Sequence, residues 1–205
     1  MKIFTTAFFL LSGLIFSQTT KAVPDDFQKI PLVFDTTDYL YPFIVPDKKI
    51  DYWSVLRNNI DVDEAIIYES QMPEFMTIND PAPEKGFFQK CLGENCFSYI
   101  IACENGKSKY FSSEQQLREF IGFIDNLPEA ILVAETYGYK VYTNNKLASS
   151  YKIDANFIYL YLSKTKNCPL TKESFLVKIN RKTGKLESNS NGIYFKSDDC
   201  SKPAL

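Results

Sequence analysis

The feature that most constrains the fold is a pair of apolar segments joined by Asn105-Gly106. Residues 96–102 are aromatic and β-branched, and a second segment follows the Asn-Gly pair at 107–111. Asn-Gly between two such segments is the strongest short-range signal of a β-hairpin, because a type I′ turn requires positive φ at both central residues. The sequence therefore predicts two antiparallel strands here, around which the rest of the chain packs.

Two consecutive helices are predicted directly after this hairpin. The serines at 112–113 lie three residues before the glutamines at 115–116, which is the spacing of a capping box. Apolar residues then recur at helical spacing over 117–124. Pro128 suits the first turn of a following helix, and the apolar run 130–134 indicates that this second helix is well buried.

From residue 139 onward the apolar period changes to two, which is typical of strands. Both faces of the segment 157–162 are apolar, so it is predicted to be a central strand. Together with the hairpin and the two helices, this pattern predicts an α+β fold. We expect an antiparallel sheet of about five to seven strands packed on two consecutive helices.

The N-terminal part contains many prolines and is predicted to be irregular. Four prolines between residues 19 and 47 disfavour helix, so we expect short extended pieces at 30–34 and 39–45. Residues 51–58 and 61–70 have the spacing of two short helices. The segment 79–85 contains two further prolines and no apolar periodicity, so it is a candidate boundary between subdomains.

The first residues have the pattern of a secretory signal peptide. Lys2 precedes an apolar run at 3–16, which is shorter than the ~20 residues needed to span a bilayer. Cleavage is predicted after Ser17 or Gln18, or alternatively after Ala22. The ending at 15–18 resembles signal peptides of Bacteroidetes-type Gram-negative bacteria, which implies a secreted or periplasmic location. The expected organisation is thus a leader at 1–18, an N-terminal arm and small helical subdomain at 19–84, and a main α+β domain at 85–205.

Composition excludes several classes of function. A formal charge of −2 argues against a nucleic-acid partner, whose affinity depends on clustered Lys and Arg. The chain contains no histidine, which removes Ser-His-Asp and Cys-His catalysis and His-ligated metal sites. We therefore expect no metal, no cofactor and no identifiable catalytic residue. No other apolar run is long enough to predict a membrane span after the leader.

The five cysteines predict two disulfides and one thiol in an oxidising compartment. Cys96 and Cys103 bracket a strand, which places them ~20 Å apart at ~3.3 Å per residue, beyond the ~7 Å between Cα atoms that a disulfide allows. Cys91 and Cys96 flank a short loop, whereas Cys168 lies at a hairpin tip and Cys200 follows the last strand. We predict bonds 91–96 and 168–200 and a free thiol at Cys103, beside Glu104, which raises a thiol pKa.

An aromatic stripe is the remaining candidate for a contact surface. Phe157, Tyr159 and Tyr161 lie on one face of the predicted central strand. If that face is exposed, the rings could pack against a sugar or a protein. The alternative, which we favour, is a core layer covered by the helices at 117–124 and 128–137.

The sequence identifies no ligand. The expected function is a non-catalytic, secreted or periplasmic binding or structural protein of the bacterial envelope that contacts a protein or a glycan. The alternative is a small His-independent hydrolase with paired carboxylates, which requires two acids held ~5–9 Å apart across a cleft.

Overall fold

A computed structural model describes residues 20–59, 62–71, 83–88, 96–198 and 200, and all structural statements below concern these residues. The strands are β1 (Gln28–Lys29), β2 (Tyr52–Asn59), β3 (Val62–Glu69), β4 (Phe97–Glu104), β5 (Lys107–Phe111), β6 (Ser150–Ile153), β7 (Phe157–Asn167), β8 (Leu170–Asn180) and β9 (Leu186–Ser197). The α-helices are α1 (Glu114–Ile121) and α2 (Leu127–Glu135). Short 3₁₀ helices span Leu32–Asp35, Thr37–Tyr39, Tyr41–Phe43 and Lys146–Ala148.

The described strands form two antiparallel sheets, so the predicted single sheet is wrong while the α+β class holds. One sheet has the order β3-β2-β4-β5 and the other has the order β1-β6-β7-β8-β9. The hairpin prediction is confirmed: β4 pairs with β5, and Asn105 and Gly106 have φ values of 52° and 73°. β7 is the middle strand of the five-stranded sheet, as the apolar faces of 157–162 predict.

Both predicted helices are present and lie in a core shared with the two sheets. Ser113 caps α1 by accepting a hydrogen bond from the backbone N–H of Gln116. Asn126 caps α2 in a capping box with Glu129, and Pro128 lies in the first turn. All nine residues of α2 are buried, which explains why its sequence is apolar on nearly every side.

The helices predicted at 51–58 and 61–70 are wrong, because these residues form β2 and the β3 strand beside it. β2 pairs with β3 on one side and with β4 on the other. Trp53 and Val55 face the shared core, and the intervening Ser54 is also buried. Pairing on both sides overrides the weak helical spacing of this segment.

The extended pieces predicted at 30–34 and 39–45 are also wrong, since three consecutive 3₁₀ turns occupy most of this region. Proline fixes φ near −65°, a value that suits the start of a 3₁₀ helix as well as extended backbone. Pro31 precedes the first turn with φ −54°, and Pro42 lies within the third. Proline therefore excluded long helix here without selecting strand.

The predicted leader at 1–18 and most of the predicted boundary at 79–85 lie outside the described residues. β2 and β3 come from the proposed arm and subdomain at 19–84, whereas β4 and β5 come from the proposed main domain at 85–205. These four strands are hydrogen-bonded in one sheet, so residues from both sides of position 84 share a structural layer.

Candidate functional site

The five-stranded sheet has an inner face toward the helices and an outer face. Ile158, Leu160 and Leu162 of β7 belong to the core that contains the helices, which defines the inner face. Successive residues of a strand point to opposite sides, so the aromatic stripe (Phe157, Tyr159 and Tyr161) lies on the outer face. The expectation that the helices cover the stripe is therefore wrong.

The stripe is divided by the N-terminal segment (residues 20–49), whose first residues run along the outer face. The ring of Phe27 packs against Tyr161 with ring centroids 5.0 Å apart, and Tyr161 is 6% exposed. Phe157 and Tyr159 remain half-buried, and Lys178 Nζ lies 3.9 Å from the centroid of the Phe157 ring. A continuous three-ring contact surface is thus absent from the described residues.

A cleft of about 540 Å³ opens farther along the same outer face. Tyr142 and Tyr194 line it, and their hydroxyls hydrogen-bond the hydroxyls of Thr165 and Ser163 at 3.0 Å each. Thr165 and Ser163 follow Tyr161 at alternate positions of β7, so they lie on its face of the sheet. The volume is within the range of about 300–1,000 Å³ that is typical of small-molecule sites.

The polar wall of the cleft is formed by Asp35, Thr36 and the loop 141–145. The two Asp35 carboxylate oxygens accept hydrogen bonds from the hydroxyls of Thr36 and Thr143, each at 3.2 Å. Asn144 is exposed, and its side-chain amide makes no hydrogen bond to the described residues. This wall therefore offers a carboxylate and an amide to a ligand.

The rest of the lining combines aromatic rings with one cation. Phe195 of β9 is 44% exposed, and Tyr194 beside it is half-buried, so that burial raises the pKa of its hydroxyl. Lys172 of β8 places Nζ 3.9 Å from the centroid of the Tyr142 ring and 5.9 Å from that of Phe195. The cleft thus presents apolar ring surface beside a positive charge.

A second cavity of about 350 Å³ is lined by Arg118, Lys182 and Lys185 together with two acids, Asp47 and Glu119. Two of its three cations have protein partners. Arg118 donates to the Thr136 hydroxyl at 2.8 Å and stacks on the Tyr137 ring, and Lys185 pairs with Glu187 at 3.0 Å. This cavity is smaller than the cleft on the outer face.

No cysteine is among the described residues that line the cleft. Cys168 and Cys200 form the predicted disulfide, which attaches the chain beyond β9 to the β7–β8 turn. Cys96 is disulfide-bonded, and Cys91, its predicted partner, lies outside the described residues. Cys103 retains its thiol and is 3% exposed, which withholds it from reagents in solution.

Among the described residues no group of three or more His, Cys, Asp or Glu side chains is arranged to hold a metal ion. Within the same residues no helix is long and apolar enough to cross a membrane. Asp35 is the one carboxylate among the ten described residues that line the cleft. The paired acids that a glycosidase requires are therefore not formed by these ten residues.

Sequence reasoning missed the cleft because three distant segments build it. Asp35 lies in a 3₁₀ turn, 141–145 is a loop, and Lys172 and Phe195 oppose each other across the β8–β9 pair. The polar Thr143-Asn144-Asn145 sequence after a tyrosine was a usable local signal for an exposed loop. Compared with protein-family models, curated proteins and solved structures, the chain has no significant match.

Proposed function

We propose that the protein is a non-catalytic binding module of the secreted or periplasmic compartment and that its cleft holds a glycan. The observation that carries the proposal is the composition of the cleft: three aromatic residues line it together with hydroxyl, amide and carboxylate groups. A sugar has an apolar face and a rim of hydroxyls, so it matches both kinds of lining group. Small-molecule sites commonly combine aromatic surface with a few placed polar groups in this way.

Rigid support of the rings favours binding over a passive surface role. The hydroxyls of Tyr142 and Tyr194 are both hydrogen-bonded to residues of β7, the central strand. A ring that is fixed before binding loses less conformational entropy when a ligand packs against it. The alternative of a carboxylate hydrolase lacks a second acid among the ten lining residues.

The test is calorimetric titration of the protein with a panel of linear tetrasaccharides that includes neutral and acidic sugars. Phe195→Ala removes an exposed ring from the cleft, and we expect it to lower the affinity for any bound oligosaccharide roughly tenfold, equivalent to about 1.4 kcal/mol. The fold should be unaffected, because the ring is not part of the core.

Ile193→Ala is the matched control. Ile193 is 43% exposed on the same strand, close to the exposure of Phe195, but it does not line the cleft. We expect its affinity to equal that of the unmodified protein. Absence of binding across the whole panel, or equal losses in the two variants, would contradict the proposed function.

A further inference from the structure

Lys172 lines the cleft, and its ammonium group makes neither an ion pair nor a hydrogen bond to the described residues. Three lysines of the five-stranded sheet lie over aromatic rings: Lys164 over Tyr139, Lys172 over Tyr142, and Lys178 over Phe157. Such contacts hold an ammonium group against apolar surface while leaving its N–H donors available.

Strand register separates Lys172 from the other two. Lys164 is directly opposite Glu173, and Lys178 is directly opposite Glu187. The cross-strand partners of Lys172 are Thr165 and Phe195, neither of which carries a charge. Among the described residues no carboxylate lies within 4.0 Å of Lys172 Nζ, and no acceptor hydrogen-bonds it.

Lys172 is half-buried, and the cost of its partial desolvation is not offset by a nearby carboxylate among the described residues. Removing an ammonium group from water has a cost that an opposite charge at close range offsets. Since a neutral ligand in the cleft would displace water from Lys172 without replacing it by an anion, the site favours a ligand that carries a negative group.

Asp35 limits how many negative groups that ligand carries. Asp35 makes hydrogen bonds only to hydroxyls, and no described cation lies within 4.0 Å of its carboxylate. A carboxylate accepts hydrogen bonds from sugar hydroxyls but repels a second carboxylate. Lys172 thus suits an anion, and Asp35 suits neutral hydroxyls.

We infer that the glycan bound by the cleft contains a uronic acid, whose carboxylate pairs with Lys172, flanked by neutral sugars whose hydroxyls donate to Asp35. This inference rests on the proposed function and specifies its ligand. An alternating chain of acidic and neutral sugars suits one cation beside one carboxylate better than an uninterrupted run of uronic acids does.

The experiment compares two tetrasaccharides by calorimetric titration of the full-length exported protein. One alternates glucuronic acid with N-acetylglucosamine, and the other is the same chain with its carboxylates converted to methyl esters. We expect the acidic chain to bind at least about tenfold more tightly, as for a hydrogen bond to a charged group. This preference should decrease as ionic strength rises.

Lys172→Met should abolish the preference for the acidic chain over its methyl ester. Lys178→Met is the matched control, because Lys178 lies equally close to a ring, at 3.9 Å, but outside the cleft. Lys172→Arg should retain the preference. Thermal unfolding of each variant verifies that the fold is intact.

The outcomes separate the two proposals. Equal affinity for the acidic chain and its ester, with both lost in Phe195→Ala, would overturn the inference and leave the proposed function standing. Binding of tetraglutamate as tightly as the acidic chain would overturn the inference in favour of an acidic peptide. No binding of any oligosaccharide would overturn the proposed function itself.

Discussion

Glu129 connects the N-terminal segment to the helical core through hydrogen bonds from three backbone N–H groups. Val45 donates to Oε1 at 2.7 Å, and Asp125 and Asn126 donate to Oε2 at 2.6 and 3.3 Å. The residue is fully buried. Burial raises its pKa to about 7, because the loss of water outweighs the three donors, which act in the opposite direction.

This raised pKa predicts a specific pH dependence of stability. A carboxyl with a pKa near 4.5 in the unfolded chain and about 7 in the folded chain binds its proton more tightly when folded. Its contribution is therefore fully present below about pH 4.5 and is lost as the pH rises through 7. Chemical denaturation at several pH values across this window measures the effect.

Glu129→Gln should remove this dependence and lower stability by about 1–3 kcal/mol below about pH 4.5, since the amide NH₂ would face backbone donors, and the deficit should shrink as the pH rises through 7. Glu119→Gln changes an exposed acid on α1 and should leave the pH profile intact. Equal pH profiles in unmodified protein and Glu129→Gln would show that Glu129 does not titrate in this range.

At the scale of elements, residues 20–29 act as a strap across the five-stranded sheet. The Asn191 side-chain amide donates to the backbone carbonyl of Lys21 at 3.0 Å, and a Cβ at Gly192 would lie 3.2 Å from Thr20 Cγ2, which places Thr20 beside this glycine. Asp26 pairs with Lys152 at 2.6 Å, and Gln28 and Lys29 form β1 beside β6. The strap thus reaches from β9 to the opposite edge of the sheet.

The strap distinguishes between the predicted cleavage sites of the leader. Cleavage after Ser17 or Gln18 keeps Thr20 and Lys21, whereas cleavage after Ala22 removes both and leaves the Asn191 amide, which is 9% exposed, without this acceptor. We expect the mature chain to begin at Gln18 or Thr19. The intact mass of exported protein checks this, and a chain that begins at Val23 would contradict the role of the strap.

The elements that the sequence predicts correctly are those with local signals. Asn105-Gly106 determines a turn by its backbone preference, and Ser113 and Pro128 mark helix starts. β2 has no such signal, because its strand conformation depends on pairing with β4, some 40 residues away in sequence. The cleft depends on register in the same way, since Lys172 meets Phe195 only through β8–β9 pairing.

At the scale of the molecule, the core and the cleft lie on opposite faces of the five-stranded sheet. The helices and the inner face of the five-stranded sheet share the core with the four-stranded sheet. The outer face carries the strap near its centre and the cleft toward one end. Substitutions in the cleft should therefore have little effect on the core. A change in affinity in such a variant can then be attributed to the cleft.

The cleft also lies where three independently anchored parts meet. Asp35 belongs to the N-terminal segment, and Thr37, two residues later, donates to the buried Glu135 of α2 at 2.7 Å. The loop 141–145 follows α2, and β8 and β9 supply the remaining wall. Ligand binding at this junction should therefore stabilise the fold as well as occupy the cleft.

Backbone amide chemical-shift mapping during titration with the alternating acidic tetrasaccharide tests most directly whether the cleft binds a glycan. We expect saturable shifts at residues 35–36, 141–145, 172 and 194–195, with the amides of the half-buried Phe157 and Tyr159 unaffected. Saturable shifts centred on Phe157 and Tyr159, or no shifts in the cleft when binding is detected by calorimetry, would contradict the assignment of the cleft as the glycan site.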